Sequence, residues 1–139
     1  MLLVFPWRSD APLYHGPWAT LGVIAAYLGL AAVDRGPGGD IALAWSLAYD
    51  DGVQPLAWIT SALAHAGWVH LLGNLIAFWV FAPIIEGKLG WWRFLLVVLG
   101  IMACSGAIEQ AAFWGNEGYS LGLSGVVYAL MAMALIWAP

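Results

Sequence analysis

Four long apolar segments limit what this chain can fold into. They occupy residues 18–33, 68–85, 92–113 and 121–138. Helices of about 16 to 22 residues rise roughly 24–33 Å, enough to cross the hydrocarbon core of a membrane. The composition agrees, because only 9% of the 139 residues are charged, whereas soluble domains carry about 25%. We therefore predict an all-α membrane protein, a helical bundle with four transmembrane helices.

The connections between these segments predict their orientation. Residues 34–67 form a long connection, whereas 86–91 and 114–120 are short, so the last three spans are antiparallel neighbours. Three of the four basic residues flank the membrane face that carries the N-terminus: Arg8, Lys88 and Arg93. Arg35 falls on the opposite face, and the positive-inside rule then favours a cytoplasmic N-terminus.

The long outer connection is partly apolar. Residues 41–49 are too few to span, and we expect a short helix there, capped by Asp40 and lying in the membrane interface. A second amphipathic piece, residues 55–65, leads into the second span. We expect this connection to dip into the outer leaflet. It should then lie against the bundle, because a loop at that depth must be covered by protein on one side.

Charge and cysteine content exclude several classes of protein. The net charge is −4 without a basic patch, so nucleic acid is not an expected partner. Cys104 is the only cysteine, cannot form an internal disulfide and is interpreted as a small core residue. Cys and His do not occur at zinc-type spacing, so we expect neither a metal nor a cofactor.

Three polar residues point to a site at the outer end of the bundle. Ser124 lies in the sequence GLSG, residues 122–125, at the head of the last apolar segment. His70 and Asn74 are four apart on the second span and therefore share one helix face. Small residues and intramembrane His or Asn also serve as packing and interhelical hydrogen bonds. Their shared depth instead favours a nucleophile facing two oxyanion donors.

These segments resemble the rhomboid family of intramembrane serine proteases. HAGWVHLLGN at residues 65–74 is similar to the family pattern H-x-x-x-x-H-x-x-x-N, and GLSGVVYAL at 122–130 to its G-x-S-G segment. EGKLG at 86–90 resembles the turn at the inner end of the second helix. The resemblance runs from residue 41 to the C-terminus, and it implies a six-helix core.

The resemblance also implies roles for individual residues. Ser124 corresponds to the nucleophile, and His70 and Asn74 to the side-chain donors of the oxyanion hole. Tyr128 corresponds to an aromatic residue that packs against the catalytic base, and His65 to a structural histidine that joins the outer loop to a helix. The supporting positions of the site are Gly122, Gly125 and Tyr128. Glu86, outside the site, is expected to stabilise the cytoplasmic turn.

The chain departs from the family pattern in two places. The family's base histidine lies on a later helix than the serine, whereas the three histidines here all precede Ser124: His15, His65 and His70. We interpret residues 1–139 as one rhomboid-like domain, truncated before two further spans of about 50–60 residues, and expect it to be inactive as written. Leu56 and Ala57 stand where family members often have Trp-Arg.

Two functions from different classes follow. The first is an intramembrane serine endopeptidase whose partners are transmembrane-protein substrates and the lipid bilayer. The alternative is a catalytically inactive rhomboid-like scaffold that binds transmembrane helices. Glu109 and Gln110 are interpreted as a solvated or hydrogen-bonded edge of the third span. Short loops and an inward N-terminus fit a bacterial inner membrane.

Overall fold

The computed structural model describes residues 14–34, 36, 39–50 and 52–137. Arg8 and Arg35, on which the predicted membrane orientation partly depends, lie outside these residues. Six helices occur in the described part: α1 (Trp18–Val33), α2 (Asp40–Ala44), α3 (Ala57–Leu63), α4 (Trp68–Leu89), α5 (Trp91–Ala112) and α6 (Ser124–Trp137). Two short antiparallel strands, β1 (Leu47–Ala48) and β2 (Tyr119–Ser120), pair Leu47 with Ser120.

The predicted all-α bundle is confirmed, with differences at the helix ends. Helices α4 and α5 are both long and apolar enough to cross a membrane, while α1 and α6 are shorter apolar helices. Helix α4 contains Pro83 without ending there and continues past the predicted end at residue 85. It ends before Gly90, which has a φ of +79°. Helix α6 begins three residues later than predicted, because Gly122 has a φ of +118°.

The core lies where α4, α5 and α6 meet. Phe78 of α4 and Phe94 of α5 are fully buried there, with ring centroids 6.2 Å apart. A Cβ on Gly125 of α6 would lie 3.1 Å from Ser105 of α5, so these helices approach closely, as expected of the small residue at 125. Contact of this kind stabilises helices in lipid, where apolar burial alone provides little driving force.

Glu86, which is expected to stabilise the inner turn, binds the first turn of α1. The side chain is fully buried, and its carboxylate accepts hydrogen bonds from the N–H groups of Ala19 and Thr20 and from the Thr20 hydroxyl, each at 2.7 Å. These N–H groups belong to the first turn of α1, which has no side-chain cap of its own. Glu86 therefore caps α1 from α4, at the helix end where a negative charge is favourable.

Two expectations, for Asp40 and Cys104, are wrong. Asp40 does not cap α2; it is the first residue of that helix, and Asp34 accepts the N–H groups of Ile41 and Ala42 at 2.9 and 3.2 Å. Cys104 is exposed rather than part of the core. A carboxylate at the end of α1 thus reaches the first turn of α2, which local spacing does not reveal.

The outer loop is anchored to α5 by Gln110. This side chain is 2% exposed, so it is not solvated; its amide oxygen accepts from Trp58 Nε1 at 2.7 Å, and its nitrogen donates to the Gly52 carbonyl at 2.7 Å. Beside it, Glu109 accepts from the Tyr49 hydroxyl at 2.9 Å. The two residues form a hydrogen-bonded edge, and the loop they hold includes α3.

Helix α3 packs directly on α5 at Gly106, where an added Cβ would lie 2.5 Å from the Trp58 Cα. We expect Gly106→Ala to lower stability by about 1–3 kcal/mol, because the backbone must move to admit the methyl group. Thermal unfolding in detergent micelles, followed by tryptophan fluorescence, measures the effect. Gly100→Ala is the matched control: it lies on the same helix with open space around it, and equal losses at both positions would contradict this packing.

Candidate active site

The turn into α6 is built around Gly122. Its φ of +118° is a conformation that L side chains rarely adopt. The Gly122 N–H donates to the Ser61 carbonyl at 2.8 Å, and the Leu123 carbonyl accepts the first helical bond of α6, from Val127, at 3.1 Å. Ser124 is therefore the first residue of α6, where backbone N–H groups have no partner inside the helix.

His70 and Asn74 converge on this turn from α4. A Cβ placed on Gly122 would lie 2.7 Å from His70 Cε1, 2.8 Å from His70 Nε2 and 3.7 Å from Asn74 Nδ2. Only a glycine fits here, because the backbone and the imidazole occupy the space of a side chain. The α-carbon of Ser124 is two residues away, within about 7 Å along the chain.

Asn74 brings an unused donor to the site. It is 8% exposed, and its Nδ2 makes no hydrogen bond within the described residues. A buried amide without a partner costs about 1–3 kcal/mol, so such groups are rare in native structures. An N–H donor of this kind can stabilise a negatively charged oxygen, and His70 supplies a second polar group one helical turn away.

Ser124 and Tyr128 lie on an open face of α6. The Ser124 residue is exposed, and the Tyr128 side chain is 66% exposed one turn further along. In the described part of the protein, this face of α6 is thus not covered by another helix.

His65 lies in the connection between α3 and α4, behind the site. Its Nε2 accepts the Leu123 N–H at 3.4 Å, which agrees with the loop-to-helix role expected for it. Burial lowers the pKa of His65 to about 4, with His70 lowering it as well and the Leu63 backbone acting in the opposite direction. The imidazole is therefore neutral at physiological pH and is not a general base of ordinary strength.

Comparison with known proteins decides the family. The model of the rhomboid domain matches residues 53–139, which is more than half of the chain. This chain belongs to the rhomboid family. It is an integral membrane protein with an all-α, rhomboid-like bundle, and the resemblance inferred from its sequence motifs is confirmed.

Individual rhomboid proteins are similar over much of the chain. The rhomboid protease GlpG of Enterobacter sp. (strain 638) is 38% identical over 136 residues, 94% of this chain and 47% of that protein. GlpG of Pectobacterium atrosepticum is 32% identical, covering 81% of this chain and 40% of its own length. The putative rhomboid protease YdcA of Bacillus subtilis is 38% identical, over 63% of this chain and 45% of its own length. The chain spans less than half the length of these curated relatives.

Sequence reasoning on this rhomboid missed one group that shapes the site and one property of another group. The Ser61 carbonyl accepts the Gly122 N–H, although nothing in residues 55–65 distinguishes Ser61 from a surface serine of an amphipathic helix. Asn74 was expected as a donor, but its lack of a hydrogen-bond partner is visible only in three dimensions. Both depend on contacts between segments that are distant in sequence.

The contact between Gly122 and His70 can be measured by a double-mutant cycle. We expect Gly122→Ala to destabilise the protein in two ways, through the positive φ and through the clash with the imidazole. His70→Ala removes the clash alone, so the two substitutions should couple by about 1–3 kcal/mol in thermal unfolding. Gly115→Ala is the matched control, since its φ is +76° and its surroundings are open; coupling to His70 as large as that of Gly122 would refute the contact.

Proposed function

We propose that this rhomboid supplies the nucleophile and oxyanion hole of an intramembrane serine endopeptidase. Ser124 Oγ attacks a peptide carbonyl, and the resulting oxyanion is stabilised by His70, Asn74 Nδ2 and the N–H of Ser124. A general base takes the hydroxyl proton during the attack and gives it to the amine as the C–N bond breaks and the acyl-enzyme forms. Water then attacks the acyl-enzyme, which releases the carboxylate and restores the serine hydroxyl. Gly122 and Gly125 support the site by admitting the imidazole and by bringing α6 against α5.

One observation carries this proposal: a buried, unpartnered Asn74 amide and His70 both face the glycine turn two residues before Ser124. A helix that only packs has no physical need for an unsatisfied donor in its interior. The helix N-terminus adds partial positive charge at the same place. Donors aligned in advance on a developing charge typically contribute a factor of about 10²–10³ each to kcat.

The chemistry also requires a general base, since a serine hydroxyl is a weak nucleophile alone. After Ser124 the sequence contains no histidine, and Tyr128 is the only titratable side chain there. The buried His65 already accepts a backbone hydrogen bond through Nε2. We therefore propose that the 139 residues alone do not turn over substrate and that a base from outside them completes the site.

The proposed substrates are membrane proteins cleaved in or near a transmembrane segment. Ser124 lies at the beginning of α6 and Tyr128 on the same open face, so a substrate chain can approach from the side of the bundle. The carbonyls of an intact helix are hydrogen-bonded and shielded, so the substrate must unwind locally before attack. Segments with Gly or other helix-weakening residues near the outer membrane face are the expected class.

Fluorophosphonate labelling tests the nucleophile. In detergent micelles, the full polypeptide that the gene encodes should be labelled, and Ser124→Ala should abolish labelling. Ser120→Ala, a serine of the adjacent strand β2, is the matched control and should be labelled normally. The 139-residue chain should react about 10²–10⁴-fold more slowly, because it lacks a base.

The same preparations test the oxyanion hole and the scaffold alternative. Asn74→Ala should lower kcat on a transmembrane peptide about 10²–10³-fold, whereas Asn116→Ala, an exposed amide, should leave it unchanged. Labelling that survives Ser124→Ala would exclude Ser124 as the nucleophile. A folded full polypeptide that neither reacts nor cleaves, yet binds transmembrane helices, would establish the scaffold function instead.

We further propose that the protein resides in a bacterial inner membrane, with its N-terminus in the cytoplasm and the candidate site near the outer face. Lys88 and Arg93 lie at the junction of α4 and α5, the opposite end of these helices from His70, in keeping with the positive-inside rule. In a Cys104→Ala background, the Asn116→Cys variant should react with an impermeant maleimide added to intact cells. The Lys88→Cys variant should react only after the cells are lysed. The reverse pattern would show that the protein has the opposite orientation.

A further inference from the structure

The hydrogen bond at His65 determines where its proton lies. A backbone N–H can only donate, and the Leu123 N–H points to His65 Nε2 at 3.4 Å. Nε2 therefore carries a lone pair, and a neutral imidazole must hold its proton on Nδ1. Nδ1 is buried on a side chain that is 3% exposed. It makes no hydrogen bond of regular geometry within the described residues, and the Leu63 backbone lies close enough to the ring to raise its pKa.

A small recess adjoins this imidazole. It has a volume of about 20 Å³ and is bordered by His65, Asp34 and the apolar side chains of Tyr27, Leu63 and Leu71, among others. A space of about 10–15 Å³ or more on this measure accommodates one water, provided polar partners are present. The polar residues on its border include His65 and Asp34, and the Asp34 carboxylate also accepts from the first turn of α2.

We propose that His65 is a positioning residue of the site: its Nε2 fixes the Leu123 N–H, and its Nδ1–H donates to one water held in the recess beside Asp34. The water satisfies the buried donor and links the ends of α1 and α2 to the turn that carries the nucleophile. The proposal rests on the function proposed for Ser124, but its hydrogen-bond geometry is testable without catalysis.

The same ring supports the oxyanion hole from behind. His65 meets His70 edge to face, with ring centroids 5.0 Å apart, and the Tyr27 ring also meets His65 edge to face at 5.5 Å. The Tyr27 hydroxyl donates to the Ala62 carbonyl at 2.8 Å, so the Tyr27 ring is held in place. His65 thus contacts one oxyanion donor through its ring and the residue before the nucleophile through Nε2, and a shift of this ring moves both.

Nitrogen NMR tests the proton position directly. In the full polypeptide with ¹⁵N-labelled histidine, His65→Gln identifies the His65 signals by their disappearance. Two-bond ¹H–¹⁵N correlations should show the neutral Nδ1–H tautomer, with an exchange peak between that proton and water. An Nε2–H tautomer, a charged imidazolium at neutral pH or a proton without contact to water would overturn the proposal, whether or not the protein is a protease.

Kinetics test whether the position matters for the reaction. The glutamine of His65→Gln can place its oxygen near the position of Nε2 and accept from Leu123, whereas the shorter His65→Asn reaches only towards the recess. We expect His65→Asn to lower kcat about 10–100-fold through misplacement of the nucleophile, with KM little changed. His65→Gln should retain most of kcat.

Three outcomes are distinguishable. Loss of kcat in His65→Asn with rescue by His65→Gln, at equal thermal stability, supports positioning through Nε2. Equal losses in both variants that parallel lower thermal stability indicate a purely structural histidine and overturn the proposal. Inactive wild-type protein that nonetheless shows the Nδ1–H tautomer contradicts the proposed protease function while leaving the assigned hydrogen bonds intact.

Discussion

The arrangement of this rhomboid depends on the contact between the Gly122 backbone and the His70 imidazole. With a φ of +118° and no side chain, Gly122 lets the turn into α6 approach the imidazole more closely than any Cβ would permit. That approach places the head of α6 beside the polar face of α4. Every larger residue would have to separate the two helices or displace the imidazole, and either change opens the site.

The outer loop holds this contact from one side. Gln110 of α5 fixes the loop through Trp58 and Gly52, and Gly106 lets α3 lie directly on α5. Helix α3 then presents the Ser61 carbonyl to the Gly122 N–H, and the residues that follow present His65 to Leu123. Hydrogen bonds are well suited to this task in a membrane protein, because an unpaired polar group beside lipid is costly.

At the other end of the bundle, a single carboxylate ties two helices together. Glu86 is fully buried and satisfies three donors of α1. In the described part of the chain its stabilisation comes from these hydrogen bonds and from the positive end of α1. The two ends of α4 therefore carry distinct polar clusters, a capping cluster around Glu86 and the candidate site around His70 and Asn74, separated by an apolar interior.

The class of fold, the approximate spans and the family could all be predicted from the amino-acid sequence. Helix length, the spacing of His70 and Asn74 and the glycines around Ser124 are local properties, which a chain displays before it folds. Other features became visible only in the packed structure. Glu86 caps α1, and Asp34 rather than Asp40 binds the first turn of α2. Cys104 is exposed, and within the described residues the Asn74 donor has no partner. Each of these depends on which distant segment lies opposite a given side chain, and that information exists only once the helices have packed.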